Sequence, residues 1–251
     1  MKLFFFSLIF LSQISVTAKV PTIAVATNFN HAMNSIVEKF ERKYKKKIQV
    51  SYGSTGSLYS QIILGAPFDA FFSADTKTID LLIKEDIGIK ETKISYALGS
   101  LVFLCEKCPR PFDWREIITK SDSKIAIANP KLAPYGQAAN EVVESLGDSS
   151  SVRERFVFGS SIGQAFQFIR TGNIPFGFVA KSLVIADHLD KSKYQEVSMK
   201  LYTPIEQGAV ILKKTKLLNE VELFFSFLKS KEVREIILNN GYLLKEIADA
   251  K

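Results

Sequence analysis

The sequence predicts an α/β protein, and three observations carry the prediction. Short β-rich runs alternate with stretches of helical periodicity along most of the chain. The helical stretches place their apolar residues on single faces. Several β-rich runs end in a short Ser/Thr/Gly turn that leads straight into a helix. Alternation of this kind builds βαβ units, in which a helix returns the chain so that the next strand can lie beside the last.

The first strand is Thr22 to Ala26, and the helix behind it is marked by Met33, Ile36, Val37, Phe40 and Tyr44, which share one face at 3.6 residues per turn. Strands follow at Ile48 to Tyr52, Asp69 to Ser73 and Leu101 to Leu104. Lys124 to Ala128 precedes a helical stripe of Ala139, Val142, Val143 and Leu146, and Arg155 to Phe158 precedes one of Ile162, Ala165, Phe166 and Ile169. Pro175 to Val179 and Gly208 to Leu212 complete the strands. From Leu217 onward, Val221, Phe224, Phe225 and Leu228 mark one helix, and a second ends at Asn239-Asn240-Gly241, a C-cap signal. The stripes read as core faces, not as cofactor boxes. No internal repeat, low-complexity run or long flexible linker divides the chain.

Ahead of the first strand, MKLFFFSLIFLSQISVTA has one cation, Lys2, an apolar run from Leu3 to Leu11, and small or polar residues ending Val16-Thr17-Ala18. That is the order of a secretory signal cleaved after Ala18, and its apolar run is well short of the roughly 20 residues of a membrane-spanning helix. Residues 1–18 are expected to be a signal peptide, and no cysteine stands at the cleavage site to carry a lipid anchor. About 230 residues then remain, enough for two modest lobes or one larger domain without cross-links.

The formal net charge is +7, one unit of it from Lys2. A basic surface admits nucleic acid, anionic lipid or small anions. Much of the excess lies in EKFERKYKKK, Glu38 to Lys47, which reads as the solvated face of a helix, and with no nucleic-acid motif beside it no nucleic-acid partner is expected. The two cysteines, Cys105 and Cys108, cannot complete a zinc site alone, and Pro109 and Pro111 follow where a redox CxxC motif would open a helix. Export to an oxidising compartment favours a local disulfide between them.

Function is carried by the strand-to-helix turns. The clearest are Ala26-Thr27-Asn28, Gly53-Ser54-Thr55-Gly56-Ser57, Ala133-Pro134-Tyr135-Gly136 and Gly159-Ser160-Ser161-Ile162-Gly163. Each places free backbone N–H groups and the positive end of a helix dipole at the carboxyl edge of the sheet, where open α/β sheets bind ligands. One such turn is an ordinary N-cap. Four that converge make a cage of donors with no acceptor, suited to a fully ionised dianion, whereas phosphate would benefit from an acceptor for its remaining proton.

These residues resemble the periplasmic molybdate-binding proteins of ABC transporters over nearly the whole mature chain. The most specific segment is Gly65-Ala66-Pro67-Phe68-Asp69-Ala70-Phe71-Phe72-Ser73-Ala74-Asp75, similar to the family's GAPxDxFxSAD stretch. Ser54 to Leu58 with Gln61-Ile62, Ile23 to Met33, and Asn129-Pro130 with Pro134-Tyr135-Gly136 resemble its other elements. The resemblance implies a type II periplasmic-binding-protein fold of two α/β lobes with the anion in the cleft between them. It places the lobes at 19–98 plus 205–251 and at 99–204, with crossovers near Tyr96 to Ser100 and Tyr202 to Gln207. It assigns hydroxyl and N–H donors to Thr27 and Thr55 and backbone N–H donors to Tyr135 and Ile162, with Asn28, Ser54 and Ser161 as further candidates. Where the family commonly has a tyrosine hydroxyl this chain has Ala180, so Lys181 or Ser182 is a candidate replacement.

Nothing in the sequence favours catalysis. His31 and His188 are far apart and beside no nucleophile motif, Asp69 and Asp75 read as turn and cap residues, and P-loop, GxSxG and HExxH patterns are missing. The expectation is a monomeric, non-enzymatic periplasmic receptor without a cofactor. It would bind molybdate or tungstate and deliver it to an inner-membrane ABC permease. The alternative is a binding protein of the same fold for another small anion such as sulfate.

Overall fold

The computed structural model describes residues 19–147 and 149–244, so the expected signal peptide lies outside the described residues. The chain opens on β1 (Thr22–Ala26), whose Ile23, Ala24 and Val25 are fully buried between two layers of helix. A 3-10 turn, Thr27–Phe29, leads into α1 (Asn30–Tyr44), then β2 (Gln49–Gly53), α2 (Thr55–Ile63), β3 (Ala70–Ser73), α3 (Lys77–Lys84) and β4 (Ile94–Gly99). Ser100 alone separates β4 from β5 (Leu101–Cys105). There follow α4 (Trp114–Lys120), β6 (Ile125–Ala128), α5 (Pro134–Glu144), α6 (Ser150–Arg153), β7 (Phe156–Gly159), α7 (Ile162–Arg170), β8 (Phe176–Ala180), α8 (Lys181–Ala186) and β9 (Tyr194–Glu196). The chain returns through β10 (Ile205–Ile211) and closes with α9 (Leu218–Leu228) and α10 (Lys231–Asn239).

Two five-stranded sheets result, ordered β2-β1-β3-β10-β4 and β7-β6-β8-β5-β9. Each has three parallel strands and a fourth, β10 or β5, that runs antiparallel to both of its neighbours. The inner parallel strands β1, β3, β6 and β8 are covered on both faces, which is why they read as continuous apolar runs, whereas the edge strands β2 and β7 are partly exposed. In the first lobe, α1, α9 and α10 cover one face, where Phe40, Phe72, Phe224 and Phe227 pack edge to face, and α2 and α3 cover the other with Leu58, Ile62, Ile79 and Leu82. In the second, Trp114, Phe103 and Phe178 anchor a core that also takes in Ala26, Ala74 and Ile205 from the first lobe, so the hydrophobic interior runs through the junction.

Three strands depart from the sequence reading: β9 has no counterpart among the expected strands, and β4 and β10 take in residues expected in crossovers. Tyr96 to Gly99, expected within a crossover, belong to β4, and all four are buried, so their pattern has no polar face to announce a strand. Gln207, expected at the end of the second crossover, lies inside β10 at a bulge between Gln207 and Gly208, and it is fully buried. The Cys105 and Cys108 sulfurs are bonded to each other, at the end of β5.

Candidate functional site

The carboxyl ends of β1, β2, β6 and β7 face one another across the junction, and each hands the chain to a helix there. Ser54 caps α2, its hydroxyl accepting from the Ser57 N–H at 3.3 Å. Ser161 caps α7 in the same way through Gln164. In α5 the first helical residue is Pro134, which has no N–H to satisfy, and Tyr135 follows it. Ala26, Thr27, Asn28, Ser54, Thr55, Ala74, Ala133, Pro134, Tyr135, Ser161 and Ile162 together line a small cavity. No Lys, Arg, His, Asp or Glu lines it.

Its electrostatics come from backbone. Three helix N-termini, those of α2, α5 and α7, meet there, each equivalent to about half a positive charge. The N–H groups of Thr55, Tyr135 and Ile162 lie in first turns, where no carbonyl of their own helix is in reach. The Thr55 hydroxyl accepts from the Ala74 N–H at 3.0 Å and lies 3.5 Å from the Ser73 hydroxyl, whose own proton goes to the Asp75 carboxylate at 3.3 Å. Thr27 differs: its hydroxyl donates to the Gly53 carbonyl at 2.9 Å, so its backbone N–H is its remaining donor.

The lobes touch around this cavity. The Gly56 N–H donates to the Leu132 carbonyl at 2.9 Å, and the Cα of Gly163 lies against the Thr27 methyl group so closely that an added Cβ would be 2.5 Å from it. Behind the cavity runs a buried polar network that sequence reasoning missed. Asn28 Nδ2 donates to Gln207 Oε1 at 2.7 Å, Tyr96 OH donates to the same oxygen at 3.1 Å, and Gln207 Nε2 donates to Tyr135 OH at 3.3 Å. Tyr242 OH and Ser182 Oγ both donate to the Asn28 carbonyl, at 2.5 and 2.9 Å. Burial pushes the Tyr96, Tyr135 and Tyr242 hydroxyls well above their ordinary range, so all three stay neutral.

The structure brings Thr27, Asn28, Ser54, Thr55, Tyr135, Ser161 and Ile162 together at the cavity but not Ala180 or Lys181. Ala180 is fully buried in the second-lobe core opposite Leu101. Lys181 turns away to pair with Glu196 at 2.5 Å, and Ser182 is spent on Asn28, so neither stands in for a tyrosine donor. His31 and His188 are both exposed. Asp75 accepts from the Thr78 N–H at the start of α3, and Asp69 accepts from the Thr22 N–H and the Thr215 hydroxyl, both structural roles. Among the described residues no cluster of His, Cys, Asp and Glu could hold a metal ion, and no helix is long and apolar enough to cross a membrane.

The sequence model of bacterial extracellular solute-binding proteins matches residues 21–243. The molybdate-binding protein ModA of Azotobacter vinelandii is 40% identical over 225 residues, 89% of either chain. ModA of Rhodobacter capsulatus is 38% identical over 221 residues, 88% of this chain and 86% of that one. The solved structure of the periplasmic molybdate-binding protein of Azotobacter vinelandii matches with a TM-score of 0.84 at 32% identity, covering 89% of this chain and 99% of that one. The two mixed sheets are thus those of the type II periplasmic-binding fold.

Proposed function

This chain belongs to the family of bacterial extracellular solute-binding proteins, and from that premise we propose that it captures molybdate, or the near-identical tungstate, in the cavity between its lobes. It does so in the periplasm, as a monomer, and delivers the anion to an inner-membrane ABC permease that reads lobe closure. The observation that carries this reading is the lining: a small cavity walled by N–H and hydroxyl groups at three helix N-termini, without a charged side chain. Such a cage stabilises a dianion by fixed dipoles. It offers no carboxylate to accept a proton, which disfavours protonated phosphate.

The donors in this reading are the N–H groups of Thr27, Thr55, Tyr135 and Ile162 and the Thr55 hydroxyl, with the backbones of Asn28 and Ser54 and the Ser161 hydroxyl beside them. The role is binding and delivery, with no bond made or broken and no cofactor. Titration calorimetry on residues 19–251 with molybdate, tungstate, sulfate and phosphate tests it. Molybdate and tungstate should bind at micromolar concentration or below. A ligand at a hundred times its dissociation constant should also stabilise the fold by about 2.7 kcal/mol. Binding of sulfate alone, or of none of the four, would overturn the assignment.

A further inference from the structure

Residues 240–244, after α10, form a strap that touches both lobes. Leu243 pairs with Leu98 of β4 through two backbone bonds, N–H to carbonyl in each direction, at 2.8 and 2.9 Å. Gly241 lies so close to α8 of the second lobe that an added Cβ would be 2.3 Å from Ile185 Cδ1. Between these contacts Tyr242 is buried, its ring edge-on to Phe29 with centroids 5.2 Å apart. Its hydroxyl donates to the Asn28 carbonyl and accepts from Asn28 Nδ2 at 3.1 Å.

Asn28 is therefore held through its carbonyl oxygen and its side-chain amide nitrogen. The carbonyl takes Tyr242 from the strap and Ser182 from the second lobe, and the side-chain amide gives to Tyr242 and to Gln207 of β10. The Thr27–Asn28 turn itself lines the cavity. A donor must be aimed before the anion arrives if ordering it is not to be charged against affinity.

We propose that Tyr242 is a positioning residue for anion capture: from the C-terminal strap it fixes Asn28, and with Ser182 it aims the Thr27–Asn28 turn at the ligand. This rests on the anion-binding reading given above. The two hydroxyls share one carbonyl, and that fixes how their losses combine. With either removed the carbonyl keeps a donor, and only when both are gone is a buried oxygen left unpaired.

The test is calorimetry with molybdate on the unaltered chain, Tyr242→Phe, Ser182→Ala and the double variant, joined to amide hydrogen exchange on the ligand-free proteins. Each single variant should weaken binding by about three- to tenfold, and the double variant by more than the product of the two. Exchange at Thr27, Asn28 and Phe29 should quicken in Tyr242→Phe while Leu98 and Leu243 stay protected. Unchanged affinity in Tyr242→Phe overturns the proposal, as does a double-variant loss no greater than the product. Loss of protection along the whole strap also overturns it, because Tyr242 would then be serving stability alone. Ser182→Ala leaves the strap intact and tests the same carbonyl should Tyr242→Phe fold poorly; its affinity matching the unaltered chain would likewise overturn the proposal. Failure of the unaltered chain to bind molybdate is a separate result, removing the functional reading and this proposal with it.

Discussion

Gly163→Ala should separate lobe closure from lobe stability. Gly163 is the second residue of α7, and in the structure an added methyl carbon there would lie 2.5 Å from Thr27 Cγ2 and 3.7 Å from Thr27 Cβ. Carbon atoms rest at about 3.5–4.0 Å, so the overlap is about 1 Å, and it is an overlap between lobes. Thr27 cannot swing its methyl group aside without giving up the bond from its hydroxyl to the Gly53 carbonyl. Overpacking of this size costs about 1–3 kcal/mol, which is about 5- to 150-fold in affinity if it falls on the closed state alone. Within α7 itself alanine is the better residue, by about 0.5–1 kcal/mol. The ligand-free protein should therefore resist urea as well as the unaltered chain or slightly better, while molybdate affinity by calorimetry falls. Adding Thr27→Ser, which deletes the obstructing methyl group and keeps the hydroxyl, should restore most of the loss. Unchanged affinity in Gly163→Ala, or a loss that Thr27→Ser does not recover, would refute the contact as the limit on closure.

Thr55→Val removes a hydroxyl from the cavity lining while keeping the shape, and calorimetry should find molybdate affinity reduced about tenfold or more. Ala180→Tyr should add no donor: the position is fully buried and away from the cavity, so denaturation should show a loss of about 1–3 kcal/mol from overpacking, with no gain in affinity. Glu106 gives a pH dependence. Burial raises its pKa, but hydrogen bonds and attraction from Lys193 and Arg170 outweigh that and hold it below the ordinary value. A carboxylate with a depressed folded pKa contributes stability that is present above its unfolded pKa and is lost as pH falls through the folded one. Urea denaturation from pH 7 down to pH 3 should show Glu106→Gln with the lower stability at neutral pH and the flatter decline in acid.

Eight of the ten strands among the described residues were legible, most clearly the strands buried on both faces, which are short apolar runs bounded by turn residues, as in Ile125–Ala128 and Phe176–Ala180. The two that were not have physical excuses. β4 carries Tyr96, Leu98 and a glycine into a junction packed from every side, and β9 is a three-residue edge strand, Tyr194–Glu196, too short to show a period. The donor turns were legible as capping signals, since Ser54 and Ser161 do what N-cap serines do anywhere. The network behind them was not. Asn28, Tyr96, Tyr135, Gln207 and Tyr242 come from five separate elements, and a lone polar residue in an apolar stretch does not announce which distant partner satisfies it.

The glycines of the donor turns change meaning once the lobes are in place. In sequence, Gly56 and Gly163 read as part of loose Ser/Gly turns, yet both sit inside helices, at the second residues of α2 and α7. What they supply is a missing side chain at the two points where lobe meets lobe. Gly56 brings its N–H onto the Leu132 carbonyl in a place where a Cβ would be 3.1 Å from the Leu132 Cα, and Gly163 does the same against the Thr27 methyl group. Thr55 and Ile162, whose free N–H groups face the cavity, are their immediate chain neighbours. Displacing either helix start to admit a wider ligand therefore displaces a closure contact by a similar amount. On the reading proposed above, an anion too large for the cavity would forfeit the Gly56 to Leu132 hydrogen bond as well as its own fit, so contacts between the lobes would help set the radius limit. Substitution of the lining hydroxyls should thus lower affinity for all tetrahedral anions together, while substitution at Gly56 or Gly163 should change how steeply affinity depends on their size.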